Sequence, residues 1–235
     1  MRTPVTQQPC IYCGRVPRVR KSHIVTDYLY EHVKEDGKIL VYDETLRISE
    51  APRQSGHHEP LLCATCETLF NRRWEQPCQQ FFRSLPESAP FPGSITLCIP
   101  HQLRGLVLSI LWRAAHSHNP SWSDFRSGCD VPRLRHAMET GSDPDVATYM
   151  YVLVSENGKL MKGLVTSPYR LVAGSLDALC IACYGVQFVV VFRALGKGEP
   201  AVGMFNRGGL QSFVVHDRAW STAGLSLEGS GSPGE

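Results

Sequence analysis

The chain has 235 residues, 43% hydrophobic and 20% charged, with a formal net charge of +2 at pH 7. That composition describes a folded globular protein and excludes a disordered one, while the net charge by itself does not announce a nucleic-acid binder. The most apolar window, Ala178 to Phe192, is too short at about 15 residues to span a bilayer, so no membrane association is expected. No basic start followed by an apolar signal core is present. A cytoplasmic, reduced setting is therefore expected for the nine cysteines.

Taken in order, residues 1–8 read as a lead-in, and Pro9 to Val16 as a tight turn carrying Cys10 and Cys13, with Gly14 suited to positive φ. Val19 to Ile24 is expected to form a short strand carrying His23, and Asp27 to Lys34 a helix capped at Thr26 or Asp27. Lys38 to Ile48 suits a strand or hairpin. Ser49 to Pro60, which includes His57 and His58, is polar and turn-rich and reads as a surface loop. Cys63 and Cys66 then open a helix to about Gln76. Pro77, lacking an amide hydrogen, should break or kink it before Gln79 to Leu85 continues in a new direction.

Residues 1–88 are expected to form one module, and the proline-rich residues 89–100 a linker. Residues 101–225 should form an α+β domain, followed by a disordered Gly/Ser/Pro-rich tail at 226–235. Within that domain, Leu103, Leu106, Val107, Ile110, Leu111 and Ala114 recur at helical steps, predicting a helix over Gln102 to His116. A shorter helix is expected from Asp130 to Glu139, ended by Gly141. Strand candidates are Thr148 to Ser155, Leu160 to Val165, Tyr169 to Ala173, Cys180 to Phe192 and Ser212 to His216, with Asn157-Gly158 as a hairpin turn. The fold class expected is α+β, with a C-terminal helix-plus-antiparallel-sheet domain.

Two Cys-x-x-Cys pairs, Cys10/Cys13 and Cys63/Cys66, stand 49 residues apart. Their spacing suits a tetrahedral four-thiolate Zn²⁺ site, with two disulfides or four metal-free thiols as the alternatives. Arg15, Arg18, Arg20 and Lys21 make the first stretch locally basic without a nearby acid, and Arg72 and Arg73 add charge on the helix after Cys66. These could contact phosphate or form a solvated face. Cys180 and Cys183 lie in an apolar run without a partner pair and read as core thiols.

Cys10-Ile-Tyr-Cys13-Gly14, Ser22-His23-Ile24-Val25 and Leu61-Leu62-Cys63-Ala64-Thr65-Cys66-Glu67 together resemble the HNH endonuclease superfamily, whose ββα-metal core is a treble clef. The closer resemblance is to HNH-like proteins of bacteria and phages. It covers about the first 80 residues, and the Ser109 to Arg113 helix is similar to that subgroup as well.

The resemblance implies a metal-dependent DNA endonuclease with His23 as general base. Glu67 would hold a catalytic Mg²⁺ or Mn²⁺, with Asn71, His57 or His58 as further ligands. Ser22 stands where the family places an acidic ligand, and no His or Asn directly follows Cys66. The alternative is a non-catalytic zinc-scaffolded binding protein of phage or prophage type. It would engage nucleic acid or a protein partner, for example in countering a bacterial defence system.

Overall fold

A computed structural model describes residues 8–15, 19–31, 34–35, 38–39, 56–88, 94–97, 99–154, 159–173, 176–192, 211–216 and 225–228. Strand β1 (Val19–His23) pairs antiparallel with β4 (His58–Cys63), from Val19 opposite Cys63 to His23 opposite His58. The register shifts between Arg20 and Lys21, next to Pro60, whose missing N–H cannot serve a regular ladder. The expected loop over Ser49 to Pro60 therefore ends before His58, where the second strand of this ribbon begins. Asp27–Tyr30 forms a single 3₁₀ turn in place of the longer helix expected to Lys34. Short strands β2 (Lys34–Glu35) and β3 (Lys38–Ile39) pair after it.

Helix α1 (Ala64–Phe70) starts directly at Cys63 and runs into a π-helical segment, Asn71–Glu75, and then α2 (Gln76–Ser84). The expected break at Pro77 is thus absorbed inside one helical path. The Gln76 amide reaches back to the Asn71 carbonyl, a five-residue step. Strand β5 (Ser94–Leu97) falls in the stretch read as a linker. It pairs with β11 (Leu225–Glu228), most of which falls in the stretch read as a disordered tail.

Helix α3 (Leu103–Ala115) is buried along nearly its whole length, and Trp74 lies against Gly105, where no Cβ intervenes. A short helix α4 (Ser123–Ser127) follows a 3₁₀ turn at Pro120–Trp122. Helix α5 (Val131–Thr140) is capped by the Asp130 side chain on the Arg133 amide and stopped by Gly141 in the left-handed conformation.

A five-stranded antiparallel sheet has the order β10-β6-β9-β8-β7. Its strands are β6 (Val146–Val154), β7 (Tyr169–Ala173), β8 (Leu176–Cys183), β9 (Val186–Phe192) and β10 (Gln211–His216). The run Cys180 to Phe192, expected as one strand, is instead part of a hairpin turning at Tyr184-Gly185, where both residues have positive φ. Leu160 to Val165 is not a ladder strand among the described residues; Val165 makes one isolated bridge to Cys183. The Asn157-Gly158 turn, most of Lys38 to Ile48 and residues 229–235 lie outside the described residues.

Alternation across the sheet explains its composition. Val146, Met150, Val152, Leu179, Ile181, Val186, Phe188 and Val190 join one apolar cluster with α3, α5 and the cysteine region. Ala147, Tyr149, Tyr151, Leu153, Cys180, Val189 and Val191 form a second cluster on the opposite face. With both faces covered, the strands lose the polar alternation of a half-exposed sheet. No helix among the described residues is long and apolar enough to cross a membrane.

Candidate metal centre and the histidine cluster

Cys10 to Cys13 form a tight turn docked on β4. Gly14 N donates to Cys10 O at 2.9 Å, Cys10 N to Arg15 O at 2.8 Å and Ile11 N to Leu61 O at 3.1 Å. Gly14 sits at φ +70°, the conformation in which lacking a Cβ matters. Cys63 ends β4 and Cys66 lies in the first turn of α1. The four sulfurs lie within 4.8 Å of one another, and Cys13 Sγ is 3.9 Å from Cys63 Sγ. The edge of a Zn–S₄ tetrahedron with 2.3 Å bonds is about 3.8 Å. Every described cysteine is a free thiol. This donor set is compatible with a structural metal such as zinc.

The thiols are not equivalent. Burial raises the pKa of Cys10, but amides of Cys13, Cys63 and Tyr12 directed at its sulfur outweigh that and bring it down to about 7. Burial, and then the neighbouring cysteine sulfurs, push the Cys66 thiol up. A coordinated divalent cation overrides such differences by deprotonating its thiol ligands. Cys180 and Cys183, three apart on a strand, face opposite sides of the sheet and so cannot chelate together. Burial drives both thiols up, Cys183 to about 12.

At the other end of the ribbon stands a second cluster. His23 Nε2 is 2.8 Å from Asp27 Oδ2, and the His23 and His58 rings meet at 4.0 Å between centroids. The ligand atoms of His23, Asp27 and His58 all lie within 4.8 Å. His58 Nδ1 is 2.6 Å from the Gly56 carbonyl. Since a carbonyl only accepts, Nδ1 carries the proton and Nε2 the lone pair. Burial, then the neighbouring His23, pull the His58 pKa below its ordinary value.

Glu67 is not part of this group. Ser22, fully buried, donates from Oγ to Glu67 Oε2 at 2.6 Å and accepts from Leu62 N at 3.1 Å. Adjacent residues on a strand face opposite ways, so Ser22 with Glu67 and His23 with Asp27 occupy opposite faces of β1. His57 goes elsewhere, to Glu59 Oε1 at 2.8 Å and against the Trp122 ring at 4.8 Å. Asn71 is exposed on the π-helical segment. Among the predicted basic site residues, Arg15, Lys21, Arg72 and Arg73 are exposed. Arg73 donates to Glu139 O at 2.6 Å and lies 5.0 Å over the Trp74 ring. Arg18 and the Arg20 side chain lie outside the description.

Two buried charges organise the surroundings. Glu59 accepts from Ser117 Oγ, from His118 N at 2.8 Å and from His57 Nε2 at 2.8 Å, with His118 Nδ1 at 3.1 Å. Burial alone would raise its pKa, but these bonds outweigh it and hold the carboxyl down at about 2. Arg113, with no exposed surface, donates to His23 O at 2.6 Å, pairs with Glu75 Oε1 at 3.0 Å and lies 5.7 Å from the Phe70 ring centroid.

Sequence reasoning passed over Asp27, Glu59 and Arg113. Arg113 carried a usable signal: it follows Leu106 and Ile110 at helical steps, so it falls on the apolar face, where a charge needs a partner. Asp27 read as a helix cap and Glu59 as loop, and nothing local distinguished them. The chain matches no protein-family model, no curated protein and no solved structure.

Proposed function

We propose that the chain is a metal-dependent phosphodiesterase of the HNH kind that cuts DNA, built on a zinc-holding treble clef. The observation supporting this reading most is the 2.8 Å contact between His23 Nε2 and Asp27 Oδ2 on the ribbon that ends at the four cysteines. Asp27 fixes the proton on Nε2 and leaves Nδ1 as the acceptor. Water attacks phosphorus, its proton passes to Nδ1, and the departing oxygen leaves with the bonding electrons. The carboxylate stabilises the imidazolium formed. Cys10, Cys13, Cys63 and Cys66 would hold Zn²⁺ as a folding element. A bound Mg²⁺ or Mn²⁺ would supply charge neutralisation at the leaving oxygen, and Glu67 is the carboxylate that the resemblance assigns to it. Arg15, Lys21, Arg72 and Arg73 are exposed cations available to phosphate.

The test is plasmid cleavage by wild type and His23→Ala with Mg²⁺, Mn²⁺ or Ni²⁺, at equal zinc content. Cleavage lost in the variant supports the reading; no cleavage with any ion, or undiminished cleavage by the variant, overturns it.

One contact favours a second reading. Ser22 replaces a carboxylate and its hydroxyl is spent on Glu67 at 2.6 Å, leaving a single carboxylate for a hard cation that prefers several oxygen ligands. Under that reading the chain is a non-catalytic zinc-scaffolded protein, of phage or prophage type by resemblance, that grips nucleic acid or a protein partner. Binding to DNA that weakens steeply with salt would assign the nucleic-acid role.

A further inference from the structure

We infer that His23, Asp27 and His58 form a second divalent-cation site, separate from the four thiols and suited to borderline transition ions such as Zn²⁺, Co²⁺ and Ni²⁺ rather than Mg²⁺. Two imidazoles and one carboxylate gather with their ligand atoms within 4.8 Å. Nitrogen donors of this kind favour borderline ions, whereas Mg²⁺ favours an oxygen shell.

Each ligand is already oriented. His58 presents the Nε2 lone pair because Nδ1 is bonded to the Gly56 carbonyl at 2.6 Å, the arrangement by which metal-binding histidines are usually held. His23 and His58 are directly opposed in the β1–β4 register, and the His23 backbone is pinned by Arg113 through its carbonyl. An ion on Nε2 would displace the proton now shared between His23 Nε2 and Asp27 Oδ2, and that proton moves to His23 Nδ1. With bonds of about 2.1 Å that contact opens from 2.8 Å to about 3.4 Å. Asp27 is 63% exposed and His23 32%, so it can open outward, and water or an anionic ligand can complete the coordination.

The site does not depend on hydrolysis, but its consequence rests on the reading above: with an ion on Nε2 the proton sits on Nδ1, and the acceptor needed as base is filled. Borderline ions in excess would then silence cleavage supported by Mg²⁺.

The experiment uses the full chain carrying its one thiolate-bound zinc, titrated with Co²⁺ and with Ni²⁺ by calorimetry and visible absorption. Wild type should take up one further equivalent with weak d–d bands and no thiolate charge-transfer band. Asp27→Asn and His58→Ala should weaken that step at least about tenfold, while His136→Ala, an exposed imidazole on α5, leaves it unchanged. Asp27 is exposed enough for its variant to stay folded, so loss of the fold does not cloud that arm. No second equivalent, uptake with a thiolate band, or equal uptake by Asp27→Asn overturns the proposal. None of these outcomes depends on whether the protein cleaves DNA.

Discussion

Arg113 Nη1 donates to the backbone carbonyl of His23 at 2.6 Å, tying helix α3 to the end of β1. Its Nη2 pairs with Glu75 Oε1 at 3.0 Å, its Nε donates to Ser109 O at 3.3 Å, and the side chain has no exposed surface. Truncating one partner of such a pair strands the other as an unpaired charge, at a cost of about 3–5 kcal/mol. Arg113→Ala should therefore lower the denaturation midpoint sharply, while Arg113→Met combined with Glu75→Gln recovers part of the loss. A single-variant cost below about 1 kcal/mol in urea unfolding would show that the pair is not structural.

Gly105 sits mid-helix, where alanine ordinarily stabilises by about 1 kcal/mol. Here a Cβ would meet Trp74 Cδ1 and Nε1 at 2.3 Å, and Trp74 is buried at 3% exposure. Overpacking of this kind costs about 1–3 kcal/mol, so the sign reverses. Gly105→Ala should lower the melting temperature, and the smaller Trp74→Leu side chain should reduce that penalty in the double variant. A raised melting temperature for Gly105→Ala alone would refute the contact.

The four sulfurs should hold one equivalent of zinc per chain that survives exhaustive dialysis against metal-free buffer, by mass spectrometry under native conditions. Cys66→Ser should lose it and melt lower, and a chelator should lower the melting temperature of wild type but not of the variant, since a structural site supplies folding energy directly. Wild-type melting insensitive to prolonged chelation would exclude a structural ion at these thiols.

Despite burial, hydrogen bonds from Ser117, His118 and His57 hold the Glu59 carboxyl down at about 2, against 4.5 for an ordinary glutamate. A depressed carboxyl contributes stability that is fully present above pH 4.5 and lost as pH falls through 2. The shift corresponds to about 3 kcal/mol. Glu59→Gln should destabilise the protein near neutral pH by about that amount and flatten the acid limb of the stability curve between pH 4.5 and 2. An acid limb identical to wild type would remove Glu59 as its source.

How far these features could be read beforehand depended on whether their signal was local. The helix over Leu103 to Ala115 has a periodic apolar face, and α5 is bracketed by Asp130 and Gly141, so both were visible. The four cysteines announce themselves by spacing. The hairpin at Tyr184-Gly185 did not, because Tyr184 adopts φ 55° without being glycine and the flanking strands are buried on both faces. The histidine cluster was hidden for a different reason: His58 reaches His23 only through cross-strand pairing, and polar flanks made its segment look like loop. Buried charge was the least legible, since Glu59 is satisfied by Ser117 and His118, 58 and 59 residues further along the chain.

The 90-residue separation between Arg113 and His23 also orders events on the ribosome. Synthesis delivers all four cysteines and both strands of the ribbon before any of α3 exists, so the thiol set is complete as soon as Cys66 has emerged. The His23 carbonyl and the Glu75 carboxylate stay hydrated until Arg113 arrives. A fragment stopped at residue 88 would therefore keep the complete thiolate set yet lack the cation that these two groups face in the finished chain. Assembly of the four-cysteine cluster needs nothing beyond Cys66, whereas burial of the ion pair waits for Arg113.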